Sequence, residues 1–244
     1  GLLDDERERI TKHLKCRGNV IVWMYGAGLI NPDAACSCGV ANASELTGIQ
    51  MGITMREQRA RMNVVAGAST ILAGLIDGES VGDFERPLTT GSEWQENDQQ
   101  PVDIMPGLIN PVLYADDPDA RVLGRYCDGD QAGFVMKHFD EWTSVYIGST
   151  GVQASVLRAL ARRAGAHLFV EDEDIVVYAN ESFVTLHTER PGKRTVKLVS
   201  KTDAIDVFDG RVMGRCVDAF VDDLPQHKTT LYYTGDRATY ERLL

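Results

Sequence analysis

The beginning of the chain pairs a charged amphipathic segment with a continuous apolar run. Across residues 2–14, apolar side chains recur among charged ones, with acids in the first turn and bases in the last, which predicts a helix. Gly18 ends this helix, and residues 19–25 form an unbroken run rich in β-branched side chains. Such a run is typical of a strand buried on both faces of a parallel sheet. The pattern therefore predicts a helix–strand unit of an α/β domain.

Further periodic segments follow along the chain. A short helix is predicted over residues 40–46, ending at Gly48. In residues 152–164 apolar positions recur every three or four residues with arginines opposite, which predicts an amphipathic helix ending at Gly165. Between them, short apolar runs bounded by turn residues predict strands. These strands are placed at residues 111–115, 121–126, 133–137 and 143–147.

After Gly165 the pattern becomes that of an all-β domain. Short apolar runs recur at even spacing, separated by turn residues such as Pro191–Gly192 and Asp209–Gly210. They lie at residues 167–170, 175–178, 183–186, 195–199 and 229–233. This arrangement predicts a small antiparallel β-sandwich. We therefore predict two domains, an α/β domain over residues 1–168 and a C-terminal β-sandwich over residues 169–244.

The charge of the chain limits the classes of partner that it can bind. It has 25 Lys and Arg against 36 Asp and Glu, a formal net charge of -11, and such a field repels a polyanion. No apolar run reaches the roughly 18 residues that a membrane span needs. We expect neither nucleic acid nor a membrane as partner. The sequence begins without Met, directly in a charged amphipathic segment, so we expect the α/β domain to be incomplete at its N-terminus.

The cysteines indicate neither a disulfide framework nor a metal site. Their number, five, is odd, and they are scattered along the chain. Cys36 and Cys38 form the one close pair, but their one-residue spacing differs from the two-residue gap of redox and zinc motifs. We predict reduced thiols and no metal or other cofactor.

The turn after the first buried strand is where an α/β fold would expose a nucleophile. It holds Tyr25 and the Gly26-Ala-Gly28 tripeptide, none of which is an ordinary acyl acceptor. The tripeptide half-fits a dinucleotide fingerprint, but Asn31 stands where the third glycine belongs, which favours a simple tight turn. In an alternative function the chain is itself catalytic. Cys36 or Cys38 would then act with His187 in an amidotransferase-like or esterase-like hydrolase.

Several passages together resemble a known family. They are residues 3–10, 18–30, 44–49, 120–125, 142–146, 157–167, 177–180 and 206–210. They are similar to the C-terminal region of large bacterial β-galactosidase-type glycoside hydrolases, where an amidotransferase-like trimerisation domain is followed by a small β-domain. The resemblance covers most of the chain except residues 51–100.

This resemblance implies a flavodoxin-like domain related to class I glutamine amidotransferases, with glycine and alanine where the catalytic cysteine would be. It also implies that the catalytic glutamates lie in a barrel upstream of Gly1. The expected function is therefore non-catalytic: subunit association in a homo-oligomer and shaping of the sugar cleft beside that barrel. Trp94 and Trp142 are the candidates for sugar stacking or an interface. A second alternative is a carbohydrate-binding module.

Overall fold

The computed structural model describes residues 1–82 and 108–243. The chain divides into two compact units, Gly1–Ala164 and Gly165–Leu244, which we call unit 1 and unit 2.

Unit 1 is built mainly from strands, with short helices beside them. Its described helices are α1 (Asp4–His13), α2 (Val40–Thr47), α3 (Ala68–Ile71) and α4 (Ala154–Arg163). Its described strands are β1 (Asn19–Met24), β2 (Met51–Thr54), β3 (Gln58–Arg59), β4 (Met62–Val64), β5 (Ser80–Val81), β6 (Leu108–Ile109), β7 (Val112–Ala115), β8 (Arg121–Tyr126), β9 (Ala132–His138) and β10 (Trp142–Ile147). The helices and strands predicted from the hydrophobic pattern lie at nearly these positions.

The pairing of these strands differs from the prediction. The main sheet has the order β1-β10-β9-β8-β4-β5, and β2 joins it through β7, which pairs with β9. Among the described strands, β1 and β10 form the one parallel pair, and the other pairs are antiparallel.

The predicted flavodoxin-like α/β fold is therefore wrong. Strands make up 41% of the described residues and helices 18%, whereas a flavodoxin-like domain alternates parallel strands with crossover helices. The physical reason lies in β1, whose apolar run indicated a strand buried in a parallel sheet. Among the described strands it is parallel to β10, its one partner there, and it lies at an edge of the sheet. A continuous apolar run reports burial of both faces, and an antiparallel sheet covered on both sides produces the same run.

Both faces of this sheet carry a hydrophobic core. Val145 and Ile147 of β10 point to one core, which includes side chains of α4, and Tyr146 points to the other, which includes side chains of α2. Successive side chains of a strand alternate between faces, so one apolar strand supplies both cores. This explains why all six residues of β10 are buried.

Unit 2 is a single antiparallel sheet of five strands, followed by a short helix. The elements are β11 (Ile175–Ala179), β12 (Phe183–Thr188), β13 (Gly192–Asp206), β14 (Val212–Leu224), β15 (Thr229–Gly235) and α5 (Arg237–Leu243). The strand order is β11-β12-β15-β13-β14.

The predicted sandwich is thus only partly supported. The described strands of unit 2 belong to one sheet, and two of them are long, 15 residues in β13 and 13 in β14. The sequence pattern placed a short strand within β13 and none at β14, whose Gly214, Arg215 and Asp218 interrupt its apolar positions. Within the described residues, no helix has the length and apolarity required to cross a lipid bilayer.

Candidate functional site

The turn after β1 is shaped by close packing. Tyr25 has a left-handed backbone, with φ of 39°, and its amide donates to the Ile147 carbonyl at 2.8 Å. Gly28 has φ of 75°, and a Cβ at this position would lie 2.6 Å from Leu46 Cδ2. Glycine is required there both by its backbone conformation and by the approach of α2.

A cavity of about 340 Å³ opens beside this turn. It is lined by Gly1, Leu2, Trp23, Gly26, Ala27, Gly28, Ile30 and Leu46. None of these residues has a side chain that can serve as nucleophile, general acid or general base, since those roles need groups such as thiol, hydroxyl, imidazole or carboxyl. The position of the predicted nucleophile elbow is therefore an apolar hollow.

A buried arginine fixes the same turn. Arg7 of α1 is 7% exposed, and its guanidinium donates to the carbonyls of Gly28 at 2.7 Å, Asn42 at 2.9 Å and Leu2 at 3.2 Å. Several donors in one planar group can satisfy carbonyls from separate segments. Arg7 thus joins α1, the turn and α2. This role could not be predicted from the sequence, because the arginine is one of several charged residues in an amphipathic helix.

Three tyrosine hydroxyls form hydrogen bonds to backbone carbonyls at the beginning of β7. The hydroxyl of Tyr25 donates to the Pro111 carbonyl at 2.7 Å, and those of Tyr126 and Tyr146 donate to the Leu113 carbonyl at 2.8 and 3.1 Å. Burial raises the pKa of all three hydroxyls. They therefore stay protonated at neutral pH and act as hydrogen-bond donors to the start of β7.

The predicted thiol–imidazole pair is divided between the two units. Cys36 and Cys38 are exposed in the loop before α2, where Cys36 Sγ donates to the Cys38 carbonyl at 3.2 Å. His187 is exposed on β12 in unit 2, and its Nδ1 lies 2.8 Å from Thr229 Oγ1. Each group thus has a partner within its own unit.

Trp142 lies in a stack of rings. It is 9% exposed, and its indole stacks on Phe139 with ring centroids 4.6 Å apart and planes within 4°. Lys15 Nζ lies 5.2 Å from the Trp142 centroid, and Lys137 Nζ lies 5.6 Å from the Phe139 centroid. These distances are within the range of cation–π attraction. Trp94, the other tryptophan singled out from the sequence, falls outside the described residues.

Charged groups anchor both ends of this stack. Burial lowers the pKa of Lys15, and the nearby positive charge of Arg7 acts in the same direction, against the attraction of Glu45. At the other end, Lys137 Nζ donates to Asp117 Oδ2 at 2.8 Å. The charged ends of the stack were not evident from the sequence, because Lys15 and Asp117 are distant along the chain from Phe139 and Trp142.

Over the described part of the chain, no group of three or more His, Cys, Asp or Glu side chains is arranged to hold a metal ion.

Comparison of this chain with known proteins shows similarity to solved structures. Neither a family model nor a curated relative matches the sequence. Among solved structures, the β-galactosidase from Bacillus circulans sp. alkalophilus aligns with 96% of this chain at 14% identity and a TM-score of 0.60. The β-galactosidase from Rahnella sp. R3 aligns with 95% at 17% identity and a TM-score of 0.54. A GH42 β-galactosidase from G. stearothermophilus aligns with 96% at 15% identity and a TM-score of 0.53.

These alignments cover nearly all of this chain but only 31%, 31% and 30% of the respective β-galactosidase chains. The chain thus spans under a third of the length of the proteins it matches. The resemblance to β-galactosidase-type glycoside hydrolases inferred from the sequence is confirmed. At this level of identity it establishes a shared fold: the chain folds like a part of a GH42 β-galactosidase.

Proposed function

We propose that this chain is a non-catalytic portion of a multidomain glycoside-hydrolase-like protein, serving association of subunits and shaping a sugar cleft beside a catalytic barrel. The observation that carries the proposal is the coverage of the structural match, nearly complete for this chain and under a third for the β-galactosidases. A piece of this size leaves room in the longer protein for the domain that performs the chemistry.

The turn after β1 supports the non-catalytic part of the proposal. An amidotransferase-like or esterase-like nucleophile would need an activated side chain near an oxyanion site. The hollow at this turn is lined by glycines and apolar side chains, and Arg7 occupies the carbonyls of Gly28 and Asn42. This arrangement stabilises the turn and provides no reacting group.

An apolar surface at one edge of unit 1 supports the association part. Among the described strands, β2 pairs with β7 alone and so leaves its other edge open. Ile53 on β2 is 39% exposed, Met55 just after it is 79% exposed, and Leu108 on β6 is 40% exposed. Exposed apolar side chains beside an open strand edge favour association with another chain. The occupant that we propose is a second copy of this chain.

The experiment is to compare the mass in solution of the chain and of two variants by light scattering. We expect the chain to be oligomeric and Met55→Asp to weaken the association at least about fivefold, since an interface residue of this kind contributes over about 1 kcal/mol. Ile76→Asp is the matched control, because Ile76 is an apolar side chain of unit 1 that is 65% exposed and lies between α3 and β5, outside β2 and β6. An unchanged mass in Met55→Asp would contradict the proposed surface, and hydrolysis of a chromogenic β-galactoside by the purified chain would contradict the non-catalytic role.

A further inference from the structure

A cleft of about 620 Å³ opens on unit 2. Its volume is in the range of sites that bind small molecules. It is bordered by the turn between β11 and β12, by the middle of β13 and by the end of β15. Phe169 and Leu198 supply its apolar surface, and Asn180, Glu181, Ser200 and Thr202 supply polar groups.

An irregularity in β13 forms the cleft. Lys197 pairs with Ala219 of β14 and Thr202 pairs with Val217, so four residues of β13 face a single residue of β14. On its other side, β13 pairs with β15 only from Asp203 onward. A bulge of this kind bends the strand and redirects its side chains. Val199, within the bulge, is 73% exposed as a result.

The aromatic side of the cleft is held in place before any ligand arrives. The Phe169 ring meets the His167 ring edge to face, with centroids 4.6 Å apart. The carbonyl of Phe169 accepts from the Lys197 amide at 2.8 Å, and His167 Nε2 lies 3.0 Å from the Lys197 carbonyl. A ring fixed in this way loses little conformational freedom on binding, which favours affinity.

The polar groups of the cleft are free to bind a ligand. Asn180 Oδ1 accepts from the amides of Ser182 and Phe183 at 2.9 Å each, so the side-chain amide group is the part left for a ligand. Glu181 and Ser200 are exposed, and neither side chain makes a hydrogen bond to another described residue. The cleft thus offers an amide donor, a carboxylate acceptor and hydroxyl groups that can do both.

The charges and the backbone of the cleft exclude several classes of ligand. No lysine, arginine or histidine is among its lining residues, and Glu181 repels anions. Hard cations favour sites with several carboxylates, and Glu181 is the one acidic residue among those that line the cleft. An extended peptide would add to a straight strand edge, and the bulge in β13 disrupts that edge. Neutral groups with many hydroxyls and an apolar face fit what remains.

We propose that this cleft binds a neutral oligosaccharide, with the apolar face of a sugar ring against Phe169 and sugar hydroxyls bonded to Asn180, Glu181 and Ser200. This role is separate from the proposed association of subunits, since it involves unit 2 alone.

The test is isothermal titration calorimetry of the full chain with three neutral probes, β-1,4-galactotetraose, cellotetraose and maltotetraose. We expect saturable binding of at least one probe. Asn180→Asp keeps the Oδ1 acceptor of the turn and removes the amide donor, and Glu181→Gln removes the charge at an exposed position. Each should weaken binding about threefold to tenfold, the effect of one hydrogen bond. Glu189→Gln, at another exposed glutamate of unit 2, is the matched control and should leave binding unchanged.

Three results would overturn the proposal: no probe binding at concentrations up to about 10 mM, binding unaffected by both cleft variants, or tighter binding of an anionic oligogalacturonate. Because Glu181 makes no contact on which the fold depends, its variant separates loss of binding from loss of folding. A chain that binds a probe while remaining monomeric would support this proposal and contradict the association proposed above, so the two outcomes are distinguishable.

Discussion

Arg7 Nη2 donates to the carbonyl of Gly28 at 2.7 Å, which ties the first helix to the turn after the first strand. The same guanidinium also reaches the carbonyls of Leu2 and Asn42, so one buried charge organises three segments. The stability of unit 1 should therefore depend strongly on this residue.

Replacing Arg7 tests this dependence. Arg7→Ala leaves buried carbonyls without donors, and we expect a loss of about 2–4 kcal/mol in the free energy of unfolding. Arg9→Ala is the matched control: Arg9 pairs with Asp5 on the exposed face of α1 at 3.1 Å, and such pairs contribute under about 0.5 kcal/mol. Urea unfolding followed by tryptophan fluorescence reports on unit 1, which contains all three tryptophans. Equal losses in the two variants would refute the role of Arg7.

The ion pair between Lys137 and Asp117 predicts a dependence of stability on pH. Burial alone would raise the pKa of Asp117, but hydrogen bonds from Lys137 and from the Gln50 and Asp119 amides outweigh it and lower this pKa below the ordinary 3.8. The folded state therefore favours the ionised carboxylate. Its stabilising contribution is complete above the unfolded-state pKa and is lost as pH falls through the lower folded-state pKa.

Asp117→Asn should lower the free energy of unfolding at pH 7 by about 2 kcal/mol, the contribution of charge-assisted hydrogen bonds. The difference from the unmodified chain should shrink as pH falls below about 4. Asp116→Asn, at the exposed neighbouring carboxylate, is the control and should have little effect. Denaturant unfolding at pH 7, 5 and 3 checks this, and a difference that stays constant across this range would argue against the assignment.

A side chain in place of Gly48 should disturb the stack of the Phe139 and Trp142 rings. It ends α2 with φ of 70°, and a Cβ there would lie 2.6 Å from Phe139 Cζ. Gly48→Ala combines backbone strain of about 1 kcal/mol with displacement of the ring that stacks on Trp142, for a total of about 2–4 kcal/mol. Gly18→Ala is the control, since Gly18 has φ of 77° and open space around it. Thermal unfolding should show a clearly larger decrease for Gly48→Ala, and equal decreases would exclude the ring contact as its cause.

A buried hydroxyl in unit 2 gives an independent prediction. Tyr232 donates to Asp222 Oδ2 at 2.7 Å, and Asp222 also accepts from Arg211 at 3.0 Å on both oxygens. Tyr232→Phe removes one donor from a buried carboxylate and should cost about 1–3 kcal/mol. Tyr178→Phe, at a side chain that is 71% exposed, should cost nothing measurable. Circular dichroism during urea unfolding measures both, and a neutral Tyr232→Phe would show that Arg211 and the Asp223 amide satisfy Asp222 without the tyrosine.

The sequence located most elements of unit 1 but not their arrangement. The predicted strand over residues 121–126 coincides with β8, and the helix over residues 152–164 contains α4. Periodicity reports which faces of an element are buried, and this was sufficient for such segments. It does not report the direction of more distant strands, so the apolar run of β1 was interpreted as part of a parallel sheet, although its parallel pairing with β10 is followed by antiparallel pairs in the described strands.

Long-range contacts explain why the candidate sites were harder to find. The Trp142 stack needs Lys15 from the far end of unit 1, and the cleft of unit 2 depends on a bulge between Lys197 and Thr202. Hydrophobic patterns reveal neither, because a bulge changes pairing without a consistent residue signature. The resemblance to β-galactosidase-type proteins succeeded because it rested on several separate passages at once.

The most direct test of the proposed role is the mass of the unmodified chain in solution, measured by light scattering over a hundredfold range of concentration. If the chain serves subunit association, its mass reaches a fixed multiple of the 26.9 kDa of a single chain as concentration rises. A mass that stays at 26.9 kDa throughout this range would contradict a role in subunit association.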